Sequence, residues 1–311
     1  TVVAVICVSM IGAELAFRWL TTGWVVKRRM IVLAVQQFVP CLFVGAAITA
    51  QERALRHGGS RASDPFDLVV AAPGSVTDLL LTVIYLRPGS VELLQGEPLR
   101  RLMSENRAEF VAPIGFGDSL NGDPVVGTIP ALVSHLAADG LEGRIFANVA
   151  EAVVGHASPL AIGATFQATH AHGPEAEDGA YHPQALTVVG RLPRTGSPWD
   201  RAILVPIEYV WQVHGLSDGH GGAGDRQSEA HDRSIGPPFD LATMPGIPAA
   251  VIKPRTLADA YGLRNTWRTA ETTAFFPAEV LVQLYELLGD ARLVMGSLAL
   301  ATELLLVAAI L

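Results

Sequence analysis

The hydrophobic positions divide the chain into two apolar flanks and a mixed centre. Residues 31–50 read IVLAVQQFVPCLFVGAAITA without a charge, and residues 293–311 read LVMGSLALATELLLVAAIL with Glu303 as the one charge. About 20 helical residues, rising about 1.5 Å each, cross a hydrocarbon core of about 30 Å. The pattern therefore predicts membrane-spanning helices at 31–51 and 291–311. We expect the second to be cut short by the end of the chain, as in a fragment of a longer membrane protein with further spans.

Polar residues inside these flanks indicate how the helices pack. Gln36, Gln37 and Pro40 interrupt the first apolar run, and neighbouring helices are the usual source of partners for such groups in lipid. Residues 18–29 read RWLTTGWVVKRR, in which two tryptophans lie among basic residues. That composition is typical of a helix lying at the membrane interface. We therefore predict an amphipathic segment at the cytoplasmic interface over residues 1–30.

The centre, residues 52–290, has the pattern of an aqueous α+β domain. Short apolar runs between glycines and prolines predict six strands: DLVVAA from Asp67, EFVAPI from Glu109, EAVVGH from Glu151, ALTVVGRL from Ala185, AILVPI from Ala202 and AAVIK from Ala249. Helical spacing follows Ser75, Thr256 and Pro277, with Ser75 predicted to be an N-cap. The helix from Pro277 meets no breaker before the second span, so it could carry movement of the domain into the bilayer.

Two Gly-rich polar stretches, residues 171–184 and 215–240, predict mobile loops. The second contains Gly215-Leu-Ser217-Asp-Gly219, which matches the nucleophile motif of serine hydrolases. Ser217 would then be the nucleophile, with Asp225 and His231 following in hydrolase order. That motif requires a strand before it, which Tyr209–Val213 could form, and a helix after it. A membrane-anchored hydrolase therefore stays an alternative to a loop without catalysis.

Histidines are concentrated in these two loops or at the residue just before them: His170, His172, His182, His214, His220 and His231. Imidazoles beside carboxylates can bind zinc, so a metal-binding component is a further alternative. Their spacing fits no specific site and the HExxH motif is absent. Solvated loop histidines explain the pattern better, and we predict no metal ligands.

Charge and motif content exclude several functions. The net charge of −8, without a basic stripe, excludes a nucleic-acid binder. Neither Lys27 nor Lys253 follows a glycine, so the phosphate-binding loop of ATPases is absent. Cys7 and Cys41 both fall in apolar segments, which leaves the aqueous domain without thiols. We expect no cofactor and no catalytic residue in this chain.

The order of segments, together with several local stretches, carries a family resemblance. These stretches are FDLVVAAPGS (66–75), VAPIGFGDS (111–119), VVGT (125–128), EAVVGH (151–156), TVVGRLPRTGSPWDRAILVPIEYVW (187–211) and VIKPRTLADAYGLR (251–264). With one span before the domain and one after it, residues 12–311 resemble the FtsX-like, MacB-type permeases of bacterial ABC transporters. Such permeases usually have four spans, and the second pair would lie beyond this sequence.

The resemblance implies a fold, partners and a location. The fold would be a MacB-like periplasmic α+β core flanked by transmembrane helices in the cell inner membrane, in a multi-pass protein. The partners would be a cytoplasmic ABC ATPase subunit, a second permease copy of the same or a related chain, and the lipid bilayer. ATP hydrolysis by that separate subunit would move the extracytoplasmic domain to export or extract a substrate. The substrate itself is not implied.

Overall fold

The computed structural model describes residues 62–138, 140–170, 184–221 and 235–286, together with isolated positions 23, 28, 46, 50, 296, 297 and 301. The chain divides into two compact units, one of residues 1–57 and 285–311 and one of residues 58–284. Within the described residues, no helix is both long and apolar enough to cross a bilayer. Apart from the isolated positions, the segments predicted at 1–30, 31–51 and 291–311 lie outside the described residues and stay predictions.

The described part of residues 58–284 is an α+β domain, which confirms the predicted fold class. Its strands are β1 Leu68–Ala71, β2 Ala108–Leu120, β3 Asp123–Thr128, β4 Glu142–Gly143, β5 Glu151–Val154, β6 Thr165–Phe166, β7 Thr169–His170, β8 Leu186–Arg191, β9 Ile203–Pro206, β10 Ala249–Pro254 and β11 Thr273–Phe275. Its helices are α1 Val76–Val83, α2 Gly96–Met103, α3 Pro130–Ala137, α4 Ile207–Val213 and α5 Leu257–Trp267. A further helix, α6, covers residues 277–286. All six predicted strands are present.

The helix predicted from Ser75 begins as the sequence indicates. Ser75 is extended and its Oγ accepts a hydrogen bond from the Asp78 N–H at 3.3 Å, which confirms the N-cap. Thr256 caps α5 in the same way, with its Oγ1 accepting from the Asp259 N–H at 3.1 Å. Each cap satisfies a backbone donor that the first helical turn leaves unpaired. The helix predicted from Pro277 is also confirmed over its described residues, 277–286.

One continuous sheet joins the strands in the order β11-β1-β10-β2-β3-β9-β5-β8-β4, with β6 added to β8 and β7 added to β2. The 13-residue strand β2 connects two halves of this sheet. Its first part pairs with β10 and its second part with β3, and the register shifts between Gly115 and Asp118. We call β11, β1, β10 and the first part of β2 the basal half, and the remaining strands the distal half.

Residues Tyr209–Val213, which could form the strand before the Ser217 motif, belong to helix α4 instead. The helix covers a glycine pair, because Gly115 of β2 faces Gly127 of β3 in register. A Cβ at Gly115 would lie 2.6 Å from the Ile207 side chain, and a Cβ at Gly127 would lie 2.5 Å from the Val210 side chain. The glycines therefore let Ile207 and Val210, three positions apart, approach the sheet closely.

Candidate functional site

Both chain connections of the domain lie at one end of the basal half. β1, the first strand, pairs antiparallel with β11, the last, and Val69 faces Phe275. The start of β1 therefore lies beside the end of β11. The end of β10 and the start of β2 meet there too, since Leu68 pairs with Ile252 and Pro254 with Ala108. We call this end of the strands the base.

On the exit side, a cluster of aromatic and charged side chains holds α6 against α5. The Arg264 guanidinium lies 4.7 Å from the ring centre of Phe276 and 5.2 Å from that of Tyr261. Its Nη1 donates to the Glu279 carboxylate at 3.0 Å, and the two rings meet edge to face at 5.2 Å. Val280 is buried on the inner face of α6. Cation–π contacts contribute about 0.5 to 2 kcal/mol each, so this cluster stabilises the position of α6.

On the entry side, the segment before β1 is held by equally specific contacts. The buried ring of Phe66 packs 5.0 Å from that of Trp199. His135 Nε2 donates to the Pro65 carbonyl at 2.8 Å. Asp67 pairs with Lys253 of β10 at 2.8 Å. The chain is thus held by side-chain contacts to the rest of the domain immediately before β1 as well as immediately after β11.

A second charged group ties the start of β2 to the end of α5. Arg107 donates to both carboxylate oxygens of Glu105, at 3.0 and 2.7 Å. Trp267 Nε1 donates to the same carboxylate at 3.4 Å. The hydrogen bonds from Arg107, opposed in part by burial, lower the pKa of Glu105 to about 2. Arg107 also lies 3.4 Å from Thr266 Oγ1, so the pair links two elements of the base.

The Glu105 pair predicts a specific loss of stability in acid. A carboxyl whose pKa is lowered on folding stabilises the protein above its unfolded pKa, and the contribution is lost as the pH falls from about 4.5 towards 2. Since Arg107 is 35% exposed, solvent screening limits the contribution to about 1 to 2 kcal/mol. We expect Glu105→Gln to remove this amount at neutral pH and to converge with the parent in acid. Urea unfolding of the full chain in detergent measures it across that range.

The matched control is Glu97→Gln. Glu97 pairs with Arg100 in solvent, where the two side chains are 64% and 44% exposed. Such pairs contribute about 0 to 1 kcal/mol. An acid dependence that is the same in the parent and in Glu105→Gln would contradict the assignment.

A groove of about 440 Å³ opens at the base beside α5. Its lining combines charged and apolar side chains, among them Asp67, Glu109, Lys253, Leu257, Tyr261 and Phe276. Across the described residues, no group of three histidine, cysteine, aspartate or glutamate side chains could hold a metal ion. The described contacts of the base are made by aromatic rings and ion pairs.

Ser217 lies away from the base, in the irregular segment that follows the end of α4 at Val213. A helix precedes the motif where a nucleophile elbow needs a strand. The Ser217 Oγ accepts a hydrogen bond from the Gly219 N–H at 3.3 Å. Its proposed partners, Asp225 and His231, lie outside the described residues. The hydrolase hypothesis therefore lacks the strand on which it depends.

Two of the six loop histidines have described side chains, and each contacts α4. His214 Nδ1 donates to the Val210 carbonyl at 2.7 Å, while its Nε2 lies 3.8 Å from Asp118. His220 Nε2 lies 3.2 Å from Glu208 Oε1. His170 belongs to β7 by its backbone, and His172, His182 and His231 lie outside the described residues.

Glu208 joins the two described ends of the second polar loop. Its Oε1 accepts from the Gly236 N–H at 2.6 Å as well as facing His220. The side chain is 2% exposed, and this burial raises the pKa of its carboxyl. Residues 215–221 and 235–240 are irregular, as the sequence predicts, but α4 holds them in place.

The residues that define the base are not among the candidates from the sequence. Tyr261 and Arg264 are three positions apart on α5, a spacing at which helical side chains meet, and this is the one signal available in the sequence. Phe276 and Glu279 come from beyond β11. Their contact with α5 depends on the pairing of β11 with β1, which the sequence does not specify.

Comparison with known proteins gives loose structural overlaps. The sequence matches no protein-family model and no curated protein. The structure is similar to the periplasmic region of MacB from Actinobacillus actinomycetemcomitans, with a TM-score of 0.40 and 11% identity, covering 75% of this chain and 95% of that one. It is also similar to the extracellular domain of the noncanonic ABC-type transporter YknZ from Gram-positive bacteria, with a TM-score of 0.33 and 12% identity, covering 67% and 98%. Overlaps this loose carry no functional conclusion.

Proposed function

We propose that this chain is the permease subunit of an ABC transporter, with an extracytoplasmic domain that is moved through its base. A partner ATPase subunit would supply the force, and a second permease copy would complete the complex in the cell inner membrane. The chain itself would have no catalytic role. The resemblance of residues 12–311 to FtsX-like, MacB-type permeases supports this proposal, and so does the absence of a phosphate-binding loop from the sequence.

One structural observation carries the proposal: the two connections of the domain leave from neighbouring strands. Val69 of β1 faces Phe275 of β11, so both connections start from the base. A domain whose two connections are adjacent rotates as one body when the connections move together. Connections at opposite ends of the domain would pull against each other. The residues before β1 and after β11 are also held against the domain, by the contact of Phe66 with Trp199 and by that of Phe276 with Arg264 of α5. A displacement that reaches the residues before β1 and after β11 would therefore be passed to the rest of the domain.

The proposal is tested by measuring movement of the domain in the assembled complex. A spin label is attached to Ile162→Cys. Ile162 is 45% exposed and lies beside Gly143 of β4, in the distal half. Cys7 and Cys41, the two native thiols, are changed to serine. We expect the distance between labels on two permease copies to change when ATP and vanadate are added. ADP is the matched control and should leave it unchanged. Identical distances in every nucleotide state would contradict a domain moved by ATP hydrolysis.

A further inference from the structure

The long strand β2 bulges where it passes from the basal half to the distal half. Its register against β3 shifts between Gly115 and Asp118, and Gly117 between them has a φ of 150°, in the range that favours glycine. His214, the residue directly after α4, covers this point, because a Cβ at Gly117 would lie 2.8 Å from the His214 ring. The imidazole therefore lies on the bulge of β2, which we define as residues 115–118.

The hydrogen bond of one ring nitrogen of His214 decides what the other nitrogen can do. Nδ1 lies 2.7 Å from the Val210 carbonyl, which can only accept, so Nδ1 carries a proton. In the neutral ring Nε2 then has no proton and is an acceptor, and it lies 3.8 Å from Oδ1 of Asp118. Two acceptors that face each other repel. A proton on Nε2 changes this contact into an ion pair.

Two further features favour the charged ring in the folded domain. The Asp118 side chain is 1% exposed, so water and salt screen its carboxylate little. His214 is also the C-cap of α4, where the helix dipole attracts a positive charge. The unfolded chain has neither interaction. Protonation of His214 therefore strengthens the contact between the end of α4 and the bulge.

Other groups near Asp118 that can titrate lie on α4, on β7 and in the loop after α4. Tyr209 of α4 is buried, and burial together with the charge of Asp118 raises the pKa of its hydroxyl, which therefore stays protonated at neutral pH. On β7, His170 pairs in register with Asp118, whereas the facing residue on β3 is apolar. Glu208 and His220 form a separate pair at the start of α4.

We propose that His214 and Asp118 form a pH-sensitive switch that holds α4 on the bulge of β2. Histidines titrate between about pH 5 and 8, so the ion pair is complete at the acidic end of that range and is lost as the pH rises through it. Because the bulge connects the two halves of the sheet, the packing between them becomes looser at the alkaline end. This property belongs to the folded domain and does not depend on the proposed function.

Hydrogen exchange of the full chain in detergent, resolved by peptide, tests the switch at about pH 6 and about pH 8. Each rate is divided by the intrinsic rate of the same amide at the same pH, which leaves the change in protection. We expect amides of residues 114–118 and 210–214 to be about three- to tenfold less protected at the higher pH, in line with histidine interactions at a helix C-terminus. Amides of β1 should show no such change.

Two variants assign the effect to this pair. His214→Asn removes the titrating ring, and Asp118→Asn removes the charge that the ring faces, so each should abolish the pH dependence. Both keep a polar amide at the position, and either variant suffices if the other does not fold. His156→Asn is the matched control, because His156 is exposed in the connection after β5, and it should keep the dependence of the parent.

Equal protection of the parent at the two pH values would overturn the switch. A pH dependence that persists in His214→Asn or in Asp118→Asn would also overturn it, since another group would then be responsible. His220→Asn and His170→Asn identify that group. Loss of the dependence in one of these, but not in His214→Asn, would assign it to the Glu208 pair or to β7.

Discussion

Replacing Trp199 with alanine is expected to lower the free energy of unfolding by about 3 to 5 kcal/mol, the usual cost of removing a large buried aromatic side chain. Trp199 is 1% exposed and packs against Phe66 at the entry to the domain. Its Nε1 donates to the Ile84 carbonyl at 2.9 Å, at the end of α1. The substitution would leave a cavity and a buried acceptor without its donor. Since domains are stable by about 5 to 15 kcal/mol, a large part of the total would be lost.

Thermal unfolding of the full chain in detergent, followed by the strand signal in circular dichroism, measures this loss. For a domain of this size we expect a midpoint lower by about 6 to 20 °C. Leu216→Ala is the matched control, because it also truncates a large apolar side chain but at a position that is 50% exposed. Trp199→Ala unfolding within about 2 °C of the parent would contradict the role assigned to Trp199.

Replacing Arg264 with alanine is expected to release α6 from α5 while leaving the sheet folded. The substitution removes two cation–π contacts, with Tyr261 and Phe276, and the ion pair with Glu279. Together these contribute about 2 kcal/mol to holding the helix. The open population of α6 should therefore rise about thirtyfold, because about 1.4 kcal/mol corresponds to a factor of ten.

Hydrogen exchange of the full chain, resolved by peptide, measures this release. Amides of residues 280–286 should exchange about thirtyfold faster in Arg264→Ala, while those of β10 should be unchanged. Arg268→Ala is the matched control, since Arg268 is exposed at the end of the same helix. In the labelled complex, Arg264→Ala should also reduce the ATP-dependent distance change at position 162. Unaltered exchange at 280–286 would contradict the attachment of α6 by Arg264.

The main strands could be predicted from the sequence because their apolar runs lie between glycines and prolines. β1, β5, β9 and β10 are nearly continuous apolar runs with fully or mostly buried residues. The two-residue strands β4, β6 and β7 are too short to give any periodic signal. Short runs also leave the choice between strand and helix open, which is how α4 could be mistaken for a strand. Tyr209, Val210 and Trp211 favour a strand locally, but packing on Gly115 and Gly127 fixes the helix.

The base could not be predicted because it is assembled from distant parts of the chain. Asp67 and Lys253 meet through the pairing of β1 with β10, and Phe276 meets Arg264 through the pairing of β11 with β1. Strand order and register decide these contacts, and neither follows from local pattern. What the sequence could predict was the helix from Pro277, which is present over its described residues, 277–286. The histidines and Ser217 are candidates by residue type alone, whereas Asp67, Lys253 and Phe276 have no motif around them.

Purifying the full-length protein from its native membrane and identifying the proteins that accompany it by mass spectrometry tests whether it is a permease subunit. We expect a stoichiometric subunit that carries the Gly-rich phosphate-binding loop missing from this chain, together with a second permease copy. A solvent-exposed tag placed beside Ile162, on the distal half, would keep the base undisturbed. If the protein is purified intact and no ATPase subunit accompanies it, the domain acts without ATP-driven force, and the claim that it is moved through its base is contradicted.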